Sequence, residues 1–206
     1  ARIEKVLQQN GKLEKAFVKN TTFDVTKEKV EKIENNEKAY HAYQGLEDTD
    51  AMSDEVLAKK ILACEQPMTL MYLCRCICAH RGTARVTSSL VASVKDIADR
   101  LLFVQEIGNS TILWTDKACA DSFSGYRQAH GRDITEIPLI EIMNAIILTV
   151  REQLSIKTDA LTLLVAKRLG FSRRGSKVEQ ALKEGLEALL SSKSILEADG
   201  FVRLPE

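Results

Sequence analysis

The chain has little proline and glycine, no net charge and no long apolar run. With only 3 prolines and 10 glycines in 206 residues, collagen-like, linker-like and many-turned all-β chains are excluded. No stretch of 18 apolar residues occurs, because Thr, Glu or Asn interrupts the greasiest segments, Met68–Cys74 and Ile137–Val150; a membrane-spanning helix is not expected. Lysine plus arginine (29) balance aspartate plus glutamate (29), so no long-range field draws the molecule to phosphate or acidic lipid, and nucleic-acid affinity requires a local patch. The five cysteines are odd in number and follow no secretory signal, which argues against a disulfide framework and for free thiols in a reducing cytoplasm. A hydrophobic fraction of 45% with 28% charged residues fits a packed, mainly helical protein. The opening at Ala1, without Met, suggests a piece of something longer.

Residues 1–50 are rich in Lys, Glu, Asn and Gln with thinly spaced apolar positions, and read as a helical arm or linker with short helices near 2–18 and 26–43. The acidic stretch Gly45–Ser53 marks a boundary, with Ser53 as N-cap of the next helix. Beyond it, two similar modules, 51–134 and 135–206, follow at an offset of about 88 residues. In the second, a helix over 137–154 precedes a β-like Ser155-Ile156-Lys157. Thr158 then caps a helix that ends at Gly170 in a left-handed C′ position. Ser176 caps a third helix reaching about Ser192, whose Val178, Leu182, Leu186 and Leu189 make one apolar stripe. A hairpin follows, turning at Ala198-Asp199-Gly200. In the first module Gly82 occupies the place of Gly170, and Leu73, Ile77, Leu90, Val94, Ala98 and Leu101 are the expected buried counterparts. Its third helix is expected over 87–102, then a hairpin, 103–107 and 110–114.

Helix, strand, helix, turn, helix, hairpin is the plan of the winged helix, whose third helix enters a DNA groove while the wing touches the backbone. The expected fold is therefore mainly α with small β-hairpins, in tandem winged-helix (helix-turn-helix) modules after the helical arm. Lys157, Lys167, Arg168, Arg173, Arg174 and Lys177 face only Asp159 within 157–177, a local excess of positive charge. Arg173, Arg174, Ser176 and Lys177 flank the mouth of the third helix, where amides and the helix dipole favour phosphate; Lys193 and Arg203 add charge from the wing. The plainer reading is a solvated turn whose arginines pair with nearby glutamates. The first module offers Arg81 and Arg85 around its own turn, where small residues suit a partner helix and DNA equally.

The stretch Gly175-Ser176-Lys177-Val178, the Leu-rich helix after it, and Gly200-Phe201 near the end resemble a bacterial domain of uncharacterised function. That winged-helix-like domain closes large superfamily I helicase-like proteins, which often also carry a restriction-endonuclease-like domain. The resemblance covers about 70 residues, from Thr135 onward. It implies a non-catalytic DNA-binding or DNA-positioning region in the C-terminal part of a helicase- or nuclease-type protein, with DNA and upstream domains or a partner protein as partners. The competing class is a protein-docking module that makes no nucleic-acid contact; a small enzyme with an unseen site ranks third.

No catalytic residue, metal or cofactor is assigned. The sequence has no Walker-type phosphate loop, nuclease carboxylate pair with Glu-x-Lys, or Gly-x-Ser-x-Gly elbow. On a helix Cys74, Cys76, Cys78 and His80 cannot converge on one ion and read as core or half-core thiols. His41, His80 and His130 are scattered; Trp114 reads as closing a small core, and Asp116, Asp121, Asp133 and Glu136 as solvated acids between the modules.

Overall fold

A computed structural model describes residues 17–18, 27–35, 43 and 52–205. They fall in two compact units, those within 1–21 and 41–122 and those within 22–40 and 123–206. The elements in chain order are β1 (Phe17–Val18), α1 (Lys27–Glu31), β2 (Glu34–Asn35), α2 (Asp54–Glu65), β3 (Met68–Thr69), α3 (Leu70–His80), α4 (Ser88–Leu101), β4 (Phe103–Ile107), β5 (Ser110–Trp114), α5 (Lys117–Ser122) and β6 (Gly125–Tyr126). A 3₁₀ turn (Ile134–Glu136), α6 (Leu139–Gln153), β7 (Ser155–Lys157), α7 (Thr158–Arg168), α8 (Ser176–Ser191), β8 (Leu196–Ala198) and β9 (Phe201–Arg203) complete the chain. The fold is mainly helical, with a small three-stranded antiparallel arrangement in each unit.

In the first unit, Ser53 caps α2 by accepting from the Val56 amide, as its position suggests. Thr69 caps α3 and Thr87 caps α4 in the same way. The three helices bury Leu57, Ile61, Leu62, Leu73, Ile77, Val94 and Ile97 against one another, with Tyr43 and Val104 in the same cluster. β5 lies between β4 and β3, pairing antiparallel with both, and β1 adds to β4 in parallel. The β4–β5 turn falls at Gly108-Asn109, with Gly108 at φ +57°.

In the second unit α6 is buried all round from Leu139 to Val150, which makes it the central helix. Close packing by α8 depends on Gly185, where a Cβ would stand 3.1 Å from both Ile142 Cγ2 and Ile146 Cδ1. β9 sits between β7 and β8, antiparallel to both. The Thr158 amide and hydroxyl donate to the Gly200 carbonyl, which fastens the hairpin loop to the start of α7.

The two units repeat one local plan. In each, a short strand leads into a helix, and that strand pairs with the last strand of the hairpin: Met68 with Leu113, Ile156 with Val202. Both middle helices end alike. Gly82 (φ +65°) and Gly170 (φ +88°) take the left-handed conformation, and the next amide returns to the helix, Thr83 to Cys78 and Phe171 to Ala166, each at 2.9 Å.

Several local expectations are corrected. The helix expected over 26–43 is short, since Glu34–Asn35 instead pairs in parallel with β6. Of the helix expected over 2–18, only 17–18 are described, and they are extended; the rest lies outside the described residues. Thr158 and Ser176 are first residues of their helices, not caps: Lys157 and Gly175 hold the cap positions, and neither helix has a side-chain cap bond. Leu101 is 38% exposed while Leu102 is buried, and Leu90 is only half-buried. The second hairpin turns at Asp199-Gly200, with Ala198 in the strand.

The five cysteines are free. Cys74, Cys76 and Cys78 are buried in α3, and burial pushes the Cys74 and Cys76 thiols up to about 11 each. At pH 8 a disulfide-exchange reagent is expected to label only half-buried Cys64 and Cys119 in the native protein, and the other three only on unfolding. Counting released thiolate before and after denaturant checks this.

Candidate nucleic-acid interface

The basic residues of the second unit collect at the end of α7, in the turn at 171–175 and at the start of α8. Gly170 reverses the chain, while the Leu169 carbonyl accepts from the Ala129 amide at 2.8 Å, so the turn is held from below. Arg173 and Arg174 are both exposed. Arg173 has no hydrogen-bond or ion-pair partner among the described residues. Arg174 donates from Nη1 to the neutral Thr162 Oγ1 at 2.9 Å, so its charge is positioned without being cancelled. Lys177 lies 3.4 Å from Asp133, an exposed pair worth little in water. The Asp133 carboxyl is held below its usual value by bonds from Thr135 and by Lys177.

At the head of α8 the cap position is Gly175, which has no side chain to occupy the first-turn amides. The first-turn amides of Ser176, Lys177 and Val178 therefore have no side-chain cap, at the positive end of the helix dipole and directly after the two arginines in the chain. Exposed Ser176 presents its hydroxyl in the same place.

Other expected residues stand apart from this cluster. Arg168 is joined to Glu152 by two bonds, through Nη1 at 3.2 Å and through Nη2, which neutralises it. Lys167 is exposed on the rim of an open depression of about 480 Å³, lined also by Tyr126, Gln128, Glu152 and Leu164. Lys193, at φ +58°, follows the far end of α8, on the order of 22 Å along the helix from the turn. Arg203 is exposed on β9, opposite Ser155 and Leu196. Lys157 places Nζ 5.7 Å from the Phe201 ring centre, at the hairpin.

The corresponding turn of the first unit is closed. Arg81 pairs with Asp54 at 2.5 Å and donates to the Met52 carbonyl. Ser93 donates to the same Asp54 carboxylate, and the Thr87 hydroxyl takes up the Leu90 amide at the helix head. Arg85 is exposed and has no ion-pair partner among the described residues.

One polar centre was not anticipated. Glu141, fully buried in α6, accepts from the Arg127 amide (2.8 Å), Nε (3.0 Å) and Nη2 (2.5 Å), and from Arg132 Nη1 (3.3 Å). Burial by itself would raise the Glu141 carboxyl, but the two guanidiniums outweigh it and hold the group below 4.5. The available signal was a lone carboxylate inside the Ile137–Val150 apolar run, because a buried charge requires a partner. Glu136 also corrects an expectation. It is buried, not solvated, and with Asp133 it forms a capping box on the 3₁₀ turn, a pattern readable in Asp-x-x-Glu. Asp116, by contrast, is exposed and caps α5 by accepting from Cys119.

Among the described residues, no group of three or more His, Cys, Asp or Glu is placed to hold a metal ion, and no helix is long and apolar enough to cross a membrane. No protein-family model, curated protein or solved structure matches the chain.

Proposed function

We propose that this chain is a non-catalytic DNA-binding or DNA-positioning region with two winged-helix modules, of which the second makes the phosphate contacts. The winged-helix reading rests on the helix, strand, helix, turn, helix, hairpin order found in both units and on the pairing of the early strand with the last one. The contrast between the two turns carries the functional reading. In the first unit Thr87 and Asp54 occupy the helix head and Arg81; in the second, Gly175 leaves the head without a side-chain cap next to Arg173 and Arg174, whose charges no acid among the described residues neutralises. Acids on α8 (Glu179, Glu184, Glu187) disfavour deep reading of base edges, so the contact is sequence-independent. Its setting would be the C-terminal part of a cytoplasmic helicase- or nuclease-type protein, as the resemblance of residues 175–178 and 200–201 suggests. The first unit, with Arg81 neutralised, is better suited to protein docking.

The test is binding of a labelled duplex and a forked DNA at low and moderate salt. Arg173→Ala with Arg174→Ala should lower affinity and reduce the slope of log K against log salt by about 2, since each phosphate contact contributes about 0.9. Arg81→Ala with Arg85→Ala should leave both unchanged. Absent DNA binding, or an unaltered slope in the Arg173/Arg174 variant, would favour docking for the whole chain.

A further inference from the structure

The outer face of α7 is not that of an ordinary amphipathic helix. Its inner side buries Leu161, Val165 and Ala166, yet the outward side carries Leu163 at 55% exposure and Leu164 at 38%. Residues four apart share a face, so Asp159, Leu163 and Lys167 form one outward row, with Ala160 and Leu164 in the row beside it. Asp159 and Lys167 are exposed, and neither has an ion-pair partner among the described residues.

This row is self-complementary about its midpoint. Leu163 is the centre, and the acid and the base stand four residues to either side, about 6 Å along the axis. When two copies of the helix pack antiparallel about a two-fold axis through Leu163, the leucines meet at the axis. Each Asp159 then faces the other copy's Lys167. Leu164, one residue from the axis, comes opposite Thr162 of the other helix, so apolar surface from Leu163 and Leu164 gathers around the centre of the contact. Parallel packing would set acid against acid and base against base. A two-fold contact requires a patch that matches itself, and this one does. The chain as a whole has no net charge, so no long-range repulsion keeps copies apart. The equivalent row on α3 (Met71, Arg75, Ala79) has no such mirror pattern.

We infer that the α7 face is a homodimer interface, in which two copies of this chain pair antiparallel through Leu163 with reciprocal Asp159–Lys167 ion pairs. The contact is independent of the DNA-binding reading. One helix face against another belongs to the small end of interface sizes, below about 1,200 Å², so the dimer is weak and concentration-dependent.

Sedimentation equilibrium of the chain, from low micromolar to near-millimolar concentration and without nucleic acid, tests the inference. The wild type should pass from monomer to dimer across that range. Asp159→Lys alone, or Lys167→Asp alone, sets like charges face to face twice and should weaken the dimer about tenfold. The double exchange Asp159→Lys with Lys167→Asp should restore it, with circular dichroism confirming that each variant is folded. A chain that stays monomeric throughout overturns the inference. So does a dimer indifferent to the single exchanges, or one that the double exchange fails to restore.

Discussion

Replacing Glu141 by Gln is expected to destabilise the second unit by about 3–5 kcal/mol, the usual effect of removing one partner of a buried ion pair. Glu141 is fully buried and is the shared acceptor of Arg127 and Arg132, so the amide removes the negative charge that both enclosed guanidiniums face there. Its NH₂ group also replaces the oxygen that accepts from the Arg127 amide and Nε, so those donors lose their acceptor. Urea unfolding followed by far-UV circular dichroism measures the loss; a change below about 1 kcal/mol would mean that the cluster is solvated in practice. The same group gives a pH dependence of definite sign. Its folded-state value lies below its unfolded value near 4.5, so its contribution is complete above that pH and disappears as pH falls through the lower, folded value. Wild-type stability should therefore fall as the pH drops below about 4.5, and the Gln variant should lose this part of the dependence.

Trp114→Ala is expected to cost the first unit about 3–5 kcal/mol, the range for removing a fully buried large aromatic. Trp114 has no exposed surface, stands opposite Phe103 across the β4–β5 ladder, and donates its indole N–H to Gln105 Oε1 at 3.0 Å. The alanine variant loses the ring's packing and leaves Gln105 without that donor. Trp114→Phe keeps most of the volume and should cost clearly less, and urea midpoints by circular dichroism rank the two. Equal midpoints for wild type and the alanine variant would contradict the burial.

Much of the secondary structure could be read from the chain because local signals agreed with tertiary packing. Ser53 before two acids starts α2, Gly82 and Gly170 end their helices, and Gly108-Asn109 turns the first hairpin. The Leu stripe of α8 is buried where its spacing places it. Failures had two sources, helix starts displaced by one residue and strand pairing decided by a distant segment. Ser176 looks like a cap in isolation, but Gly175 takes that position. The α1 region has helical composition, yet Glu34–Asn35 is claimed by β6, and the Val30 and Ile33 carbonyls accept from Arg151, well over a hundred residues away. At the candidate interface the charged residues were visible in the sequence, but their states were not. Only the fold shows that Arg168 is neutralised by Glu152 and that Arg174 rests on a hydroxyl.

The matching ends of α3 and α7 have a practical consequence. Residues 83–87 and 171–175 are loops of one length, entered through a left-handed glycine and left through a helix that begins at the same register. Such segments share one backbone frame and differ in side chains. The loops themselves differ by one arginine, Arg85 against Arg173 and Arg174, while the groups that engage the charge of either turn, Asp54 for Arg81 and Thr162 for Arg174, belong to the surrounding helices.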